Sequence, residues 1–477
     1  MLKKIIFIIL FVLVLTQSAS LAEDYYNLAG CIHVNSNVGK GRYSLEEIIG
    51  LARSNGIQIV ILGDILTSRV EYGIWPLRNI LKVFDDSSSL LNYGVSKYLN
   101  KIKSFTNDIS DIIIMPGIEV APFYYWAGTL LKRDLVLHDP SKHMFIAGLD
   151  KPSDLLGMPV IGNHNAGKYG LISIILAWPL LVMGIGVYLF FKIPVKKERR
   201  TVGIIFLSLG VIFFINNFPF KKAMFDAYSI KNRIFYYQQL IDYVNKKGGV
   251  VFWLQPCGES GGVYKGVKYE TLPFTEDLFY TQGYTGFSVF YEGEEMVKPM
   301  GPWDKLLLEY CLGKRNRPVW AIGDMDYSYE EENHKNFGEV QTVFLVKDKT
   351  KEAVVRALKN GNMYAYYSRD LKNQLRLDKF EVRDRLTGSS AIMGQEVSCF
   401  SPAEIAINIS GPEAIRGGSS LRLIRNGMVI QVFQIKNLPF NTVFIDDYFV
   451  SREKCYYRLE VEGIVANPVF VTFKDLK

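Results

Sequence analysis

The chain has 477 residues, of which 49% are apolar and 13% aromatic, and a formal net charge of +7. That length predicts two or three units with real cores rather than one average domain. The mild positive excess forms no concentrated Lys/Arg stripe, so no nucleic-acid partner is expected. Five cysteines (Cys31, Cys257, Cys311, Cys399 and Cys455) make no CxxC pair, which excludes zinc-finger and redox motifs. Cys399 and Cys455 either pair or stay as buried thiols.

The N-terminus has Lys3 and Lys4, an apolar run Ile5–Leu15, and small and polar residues up to Ala22. This three-part pattern predicts a secretory signal, or a retained anchor, over 1–22. Alternating strands and helices follow. "LAGCIHV" reads as a strand. "YSLEEIIGLARSNG" reads as a helix in which Ser44 and Glu47 form a capping box and Gly56 stops the turn. "IQIVILGD", "DIIIMPGIEV" and "HMFIAGL" read as buried strands, and continuous apolar strands between helices predict a parallel sheet.

The stretch 169–192 is apolar and uncharged up to its last residue, and 201–218 is nearly as long. The basic link "IPVKKERR" joins them. Together they predict a transmembrane hairpin over 169–218, since two buried core helices would rarely stay uncharged for so long. The N-terminal lysines and the basic link both favour the inside. Both soluble regions are therefore expected on the extracytoplasmic side, against the weak opposing signal of "FPFKK".

After the hairpin the α/β pattern resumes. "IKNRIFYYQQLIDYVNKKGG", "PWDKLLLEYCLGKR" and "TKEAVVRALKNGN" read as helices; "VVFWLQP", "GFSVFYE", "PVWAIGDMDYS" and "MYAYYS" read as strands. The expectation is one α/β barrel in two halves, 23–168 and 219–372, interrupted by the hairpin. From 373 to 477 apolar and polar residues alternate, and "RNGM" is a hairpin turn, which predicts an immunoglobulin-like β-sandwich.

Parallel barrels place chemistry at the C-terminal ends of their strands. This chain puts His33, Asn35, Asp64, Glu119, Gln255, Asp324 and Asp326 there, with His143 near a strand start. In an apolar surround such groups need a cation or a hydrogen-bond network. Taken singly, Asp64 also reads as a turn or cap residue, Gln255 as a loop partner and His143 as a satisfied edge histidine. The glycine-rich 258–270 lacks a phosphate-loop ending and reads as a mobile loop over the mouth. Residues 327–338 read as a solvated loop, and 162–170 as an interfacial linker.

The order of these blocks resembles the PHP (polymerase and histidinol phosphatase) superfamily over roughly 25–150 and 228–370. "HVNS" stands where that family has His-x-His-Ser, "GDI" where it has Thr-Asp-His, and "PGIE" where it has Gly-Ile-Glu. "HMFIAGL", "KKGGVVFWLQP" and "GDMDYS" take the places of its later blocks. The resemblance implies a distorted (β/α)7 barrel and two or three metal ions that activate water for phosphoester hydrolysis.

Carried over by position, His33, Glu119, His143 and Asp326 match family ligands, and Asp64 matches an aspartate. Asn35, Ile65, Gln255 and Ser328 stand where histidines are expected. Such a set implies one divalent ion at most, on His33, Glu119 and Asp326 with Asn35 as oxygen donor. It suits manganese or magnesium better than structural zinc. Two functions follow as expectations. One is a degenerate, weakly active or non-catalytic relative that binds an extracytoplasmic ligand or partner, with one divalent ion (manganese, magnesium or zinc) or none. The other is a membrane-anchored metal-dependent phosphoesterase with a reduced site. Asp64, Gln255 and Asp324 are further pocket residues.

Overall fold

The computed structural model describes residues 25–475 apart from 168, 193–196, 222–223, 330–334 and 413–417. The expected signal segment lies outside the described residues.

Strand β1 (Tyr26–Val34) leads through a turn to helix α1 (Leu45–Ser54), whose Ser44–Glu47 capping box is present. Then come β2 (Ile59–Leu62), α2 (Val95–Asp108), β3 (Ile113–Met115), β4 (Gly117–Val120) and β5 (Met144–Ala147). Two apolar helical segments, α3 (Leu171–Leu176) and α4 (Trp178–Phe191), are followed by α5 (Lys197–Asn217). The α/β pattern resumes with α6 (Arg233–Lys246), β6 (Val250–Trp253), β7 (Gly286–Ser288) and α7 (Pro302–Cys311). It ends with β8 (Trp320–Ile322), β9 (Asp324–Tyr327), β10 (Val340–Val346), α8 (Lys351–Asn360) and β11 (Met363–Tyr367).

The strands differ from the expected closed barrel. They fall into two sheets. In one, β1, β2 and β3 are parallel, with β10 and β11 added antiparallel beyond β1 and β9 parallel to the end of β1. The other has the order β8-β7-β6-β5-β4. The sheets share chain only where β3 runs into β4 and β8 runs into β9. Pro116 breaks the first ladder because it has no N–H to give. Gly323 sits at the second break, where a Cβ would lie 2.1 Å from the Gln341 carbonyl oxygen. Inward residues of both sheets, such as Ile61, Phe145, Phe252 and Phe287, nevertheless share one core.

The all-parallel expectation also needs correction. β5 is antiparallel to both β4 and β6. No crossover helix separates β4 from β5; the chain makes a short strand excursion, Tyr125–Ala127 and Val136–His138, and returns. The glycine-rich segment is ordered too, as a hairpin of Ser260–Tyr264 with Val267–Thr271.

β10 and β11 are apolar on both faces because each face meets a core. Phe344, Val346 and Met363 lie in the first; Val343, Leu345, Tyr364 and Tyr366 lie in a second one with the C-terminal strands. β11 pairs with Ile464–Ala466, so the C-terminal strands continue the same sheet. A separate four-stranded antiparallel sheet, with Arg376–Asp384 and Ala403–Ser410 at its centre, covers that second core. The Asn426–Gly427 turn has φ of +49° and +85°, as a two-residue hairpin turn requires. All five cysteines are free thiols, and Cys399 and Cys455 are buried.

The Arg458 guanidinium fixes the C-terminal strands to α7. It donates to both Asp304 oxygens, at 2.7 and 2.8 Å, and Tyr456 OH donates to the same carboxylate at 2.7 Å. Asn467 adds a clamp on the backbone of Ala321 and Met363.

Two helical stretches, Leu171–Phe191 and Lys197–Asn217, are long and apolar enough to cross a membrane, each with 21 residues. They pack on each other and leave Leu171, Ile174, Ile175, Leu181 and Phe191 exposed. Their backbones approach closely at Gly186, where a Cβ would lie 2.7 Å from Leu207 N and 2.9 Å from Gly203 O.

Candidate functional site

The end of β1 carries the first site residue in an uncommon backbone conformation. His33 has φ of +67°, and so do two other strand-end residues in kind, Gln255 at +48° and Asp326 at +42°. Non-glycine residues adopt this region at a cost, and such strain collects at sites where side-chain direction matters. The His33 ring lies over Gly63, whose Cβ would stand 2.1 Å from ring Cδ2. Only glycine lets the end of β2 pass there.

His33 is buried and centred among three carboxylates. Its Nδ1 lies 3.0 Å from Asp324 Oδ1. Its Nε2 lies 3.8 Å from Glu119 Oε2 and 3.7 Å from Asp326 Oδ1, too far for hydrogen bonds. That Nε2 is buried and has no hydrogen-bond partner. Burial disfavours the charged ring, but Asp324 and Asp326 outweigh it and hold the His33 pKa well above its ordinary value. Burial raises the pKa of Asp324, against the pull of His33.

Glu119 joins the cluster from β4. His143 Nδ1 contacts its Oε1, and Lys40 Nζ lies 3.3 Å from its Oε2. Burial works to raise this carboxyl, but the His143 and Lys40 charges prevail and hold it well below the usual carboxylate range. The other ring nitrogen of His143 lies 3.1 Å from the Pro140 carbonyl oxygen. Asp326 receives the Gln255 amide at 3.3 Å and faces Lys335 Nζ at 3.8 Å. Lys335 also donates to the Met325 and Asp326 carbonyls.

The strand ends thus bring together His33, Glu119, His143, Asp324, Asp326 and Gln255. Asn35 lies at the margin: its Nδ2 donates to Ser328 Oγ at 3.4 Å, and its buried Oδ1 has no partner. Asp64 is turned elsewhere. Its carboxylate accepts from Ser36 N and Oγ, both at 2.8 Å, and from Gly39 N at 3.1 Å. It ties down the turn after β1, and burial pushes its pKa up to about 6 against those three donors.

Sequence reasoning missed both lysines. Lys40 sits in "VGKGR", seven residues after His33 and between two glycines, outside every motif singled out in the sequence. Lys335 belongs to the segment expected to be solvated, yet it and Phe337 are buried. Its neighbours Glu330, Glu331, Glu332 and His334 lie outside the described residues.

Two or three metal ions do not fit this donor set. Among the described residues no group of three or more His, Cys, Asp or Glu side chains is disposed to hold a metal ion. The positive groups stand against the carboxylates instead: Lys40 at Glu119, Lys335 at Asp326, and His33 at Asp324. A divalent ion would have to displace ammonium groups already there. The result is a strained, nearly charge-balanced cluster, buried at His33, Glu119 and Asp324 and reaching solvent at Lys40, His143 and Asp326.

No protein-family model matches the sequence, and none of the curated proteins matches it. Among solved structures, one similar chain is a two-domain protein from Bacteroides vulgatus containing a predicted PHP-like metal-dependent phosphoesterase. It shares 11% identity at a TM-score of 0.36, over 94% of this chain and 95% of that one. Another, described as a candidate metal-dependent phosphoesterase from Bifidobacterium adolescentis, shares 15% identity at a TM-score of 0.29. That match covers 70% of this chain and 98% of that one. At these values the likeness decides neither the fold nor the activity.

Proposed function

We propose that the protein is a membrane-anchored, extracytoplasmic PHP-like protein with a degenerate site, which binds a ligand or partner and hydrolyses phosphoesters weakly or not at all. The motif order supports the family, and the two apolar helices support the anchor. The observation that carries the reading is the ammonium of Lys40, 3.3 Å from Glu119 Oε2, with Lys335 beside Asp326. Lysine charge there does electrostatically what a metal cluster does in the family. It neutralises the buried Glu119 and the partly exposed Asp326, but it supplies no open coordination position and no activated water.

A second reading rests on the partnerless His33 Nε2 and Asn35 Oδ1. One ion held by His33, Glu119 and Asp326, with the Asn35 carbonyl as a further donor, would give both atoms a partner. Asp324 would then orient the ring through Nδ1, as carboxylates behind ligating histidines do. Such an ion would supply Lewis-acid activation of water for a metal-dependent phosphoesterase.

The test is hydrolysis of a generic phosphoester by the full-length protein in detergent, with manganese, magnesium or zinc added singly. The degenerate reading expects turnover no different from Glu119→Ala under every metal. Turnover that depends on one metal and vanishes in Glu119→Ala would replace it with the second reading.

A further inference from the structure

We propose that a second site, remote in chemistry from the carboxylate cluster, binds the phosphate of a membrane lipid headgroup through Arg78. The proposal rests on the membrane reading of the two apolar helices. It begins with a β-hairpin, Val70–Gly73 with Lys82–Asp85. The loop between these strands is tied to the end of the second apolar helix. Asn79 N donates to Asn216 Oδ1 at 3.1 Å, and Asn79 Nδ2 donates to Asn216 O at 2.7 Å. If that helix spans the bilayer, the loop lies at headgroup depth. Its surface fits that depth: Trp75 is 76% exposed, and Ile74, Ile80, Leu81, Val83 and Phe84 are exposed with it. Tryptophan is enriched at this interface because its ring is apolar and its N–H is not.

Behind the loop is a cavity of about 480 Å³, walled by aromatic residues that include Tyr72, Trp75, Trp126 and Tyr228. That volume is within the range of small-molecule sites. Arg78 is the cation on its wall. Its guanidinium stacks over the Tyr228 ring at 3.6 Å. Its Nε is buried with no hydrogen-bond partner. No carboxylate among the described residues pairs with it. The nearby acid, Glu71, is already engaged by Arg69, Lys82 and His164. A stacked guanidinium with an unpartnered Nε, on the wall of an aromatic cleft, suits a planar or tetrahedral oxyanion. The bilayer brings phosphate to this depth on its headgroups, and the apolar loop surface admits the adjoining glycerol and acyl carbons.

The experiment uses full-length protein in nanodiscs of phosphatidylcholine alone or mixed with phosphatidic acid, with retained lipid read by native mass spectrometry. Wild type is expected to retain phosphatidic acid. Arg78→Ala should retain it about tenfold less tightly, the loss of one charge-assisted contact. Arg78→Lys, which keeps the charge and the fold, should fall between them. Equal retention by wild type and Arg78→Ala overturns the proposal. Inorganic phosphate that binds the nanodisc-embedded protein through Arg78 without displacing retained phosphatidic acid would also overturn it, by making this a free-anion site. Protein that never enters nanodiscs overturns the membrane reading. Protein that enters them but shows no Arg78 dependence overturns the lipid site alone.

Discussion

His33 Nδ1 and Asp324 Oδ1 face each other at 3.0 Å, both buried, on strands β1 and β9 that pair in parallel. This contact sets which ring nitrogen faces Glu119 and Asp326, and it is the largest favourable charge acting on His33. Replacing Asp324 by asparagine leaves the ring buried with less negative charge around it. Burial disfavours imidazolium, so the His33 pKa should drop. Histidine-selective NMR titration of Asp324→Asn would read the fall; an unchanged titration would show that Asp324 does not hold the ring charged.

Asp64 gives a pH dependence of known sign. Its carboxyl has an ordinary value of 3.8 and is pushed up to about 6 by burial. Between those values the native state binds a proton that the unfolded chain has released. Stability contributed by this group is therefore full below pH 4 and lost as pH rises to 6, on the order of 2–3 kcal/mol. Thermal unfolding against pH should show a smaller fall over this window in Asp64→Asn than in wild type. Equal slopes would remove Asp64 as the cause.

The Asp304–Arg458 pair links α7 to the C-terminal strands through two hydrogen bonds. Asp304→Ala takes away the carboxylate that accepts from two of the buried guanidinium's nitrogens and leaves it with Glu460 and the Val297 carbonyl, which should cost about 3 kcal/mol. Asp304→Leu combined with Arg458→Met should cost less than the single change, because the guanidinium leaves with its carboxylate and Glu460, its other partner, keeps Arg422. Chemical denaturation of the single and double variants checks this, and additive losses would contradict it.

Much of the architecture is written in local patterns. Ser44 and Glu47 announce α1, Gly361 at φ +76° ends α8, and Asn426–Gly427 turns a hairpin. The site residues are also legible in part, because His33, Glu119 and Asp326 each end or follow an apolar strand. Other features depend on contacts that no local pattern carries. The antiparallel β5 looks like any buried strand until its connection is known. The ladder breaks depend on what lies opposite Pro116 and Gly323. Lys40 reads as a turn lysine until Glu119, 79 residues away, is placed beside it. The 340–346 strand, apolar on both faces, gives no alternation to detect.

The topology proposed for the hairpin makes a direct expectation. A phosphatase reporter that is active only outside the cytoplasm should be inactive when inserted after Arg200, in the basic link. It should be active when fused beyond the second apolar helix. The reverse pattern would place the carboxylate site on the cytoplasmic side.

The central claim is that lysine charge stands where metal would otherwise neutralise Glu119 and Asp326. Its most direct test is the metal content of the purified full-length protein after equilibration with manganese, magnesium and zinc and removal of excess. The account predicts far less than one ion per chain, unchanged in Glu119→Ala. One or more ions per chain, lost on that substitution, would contradict it.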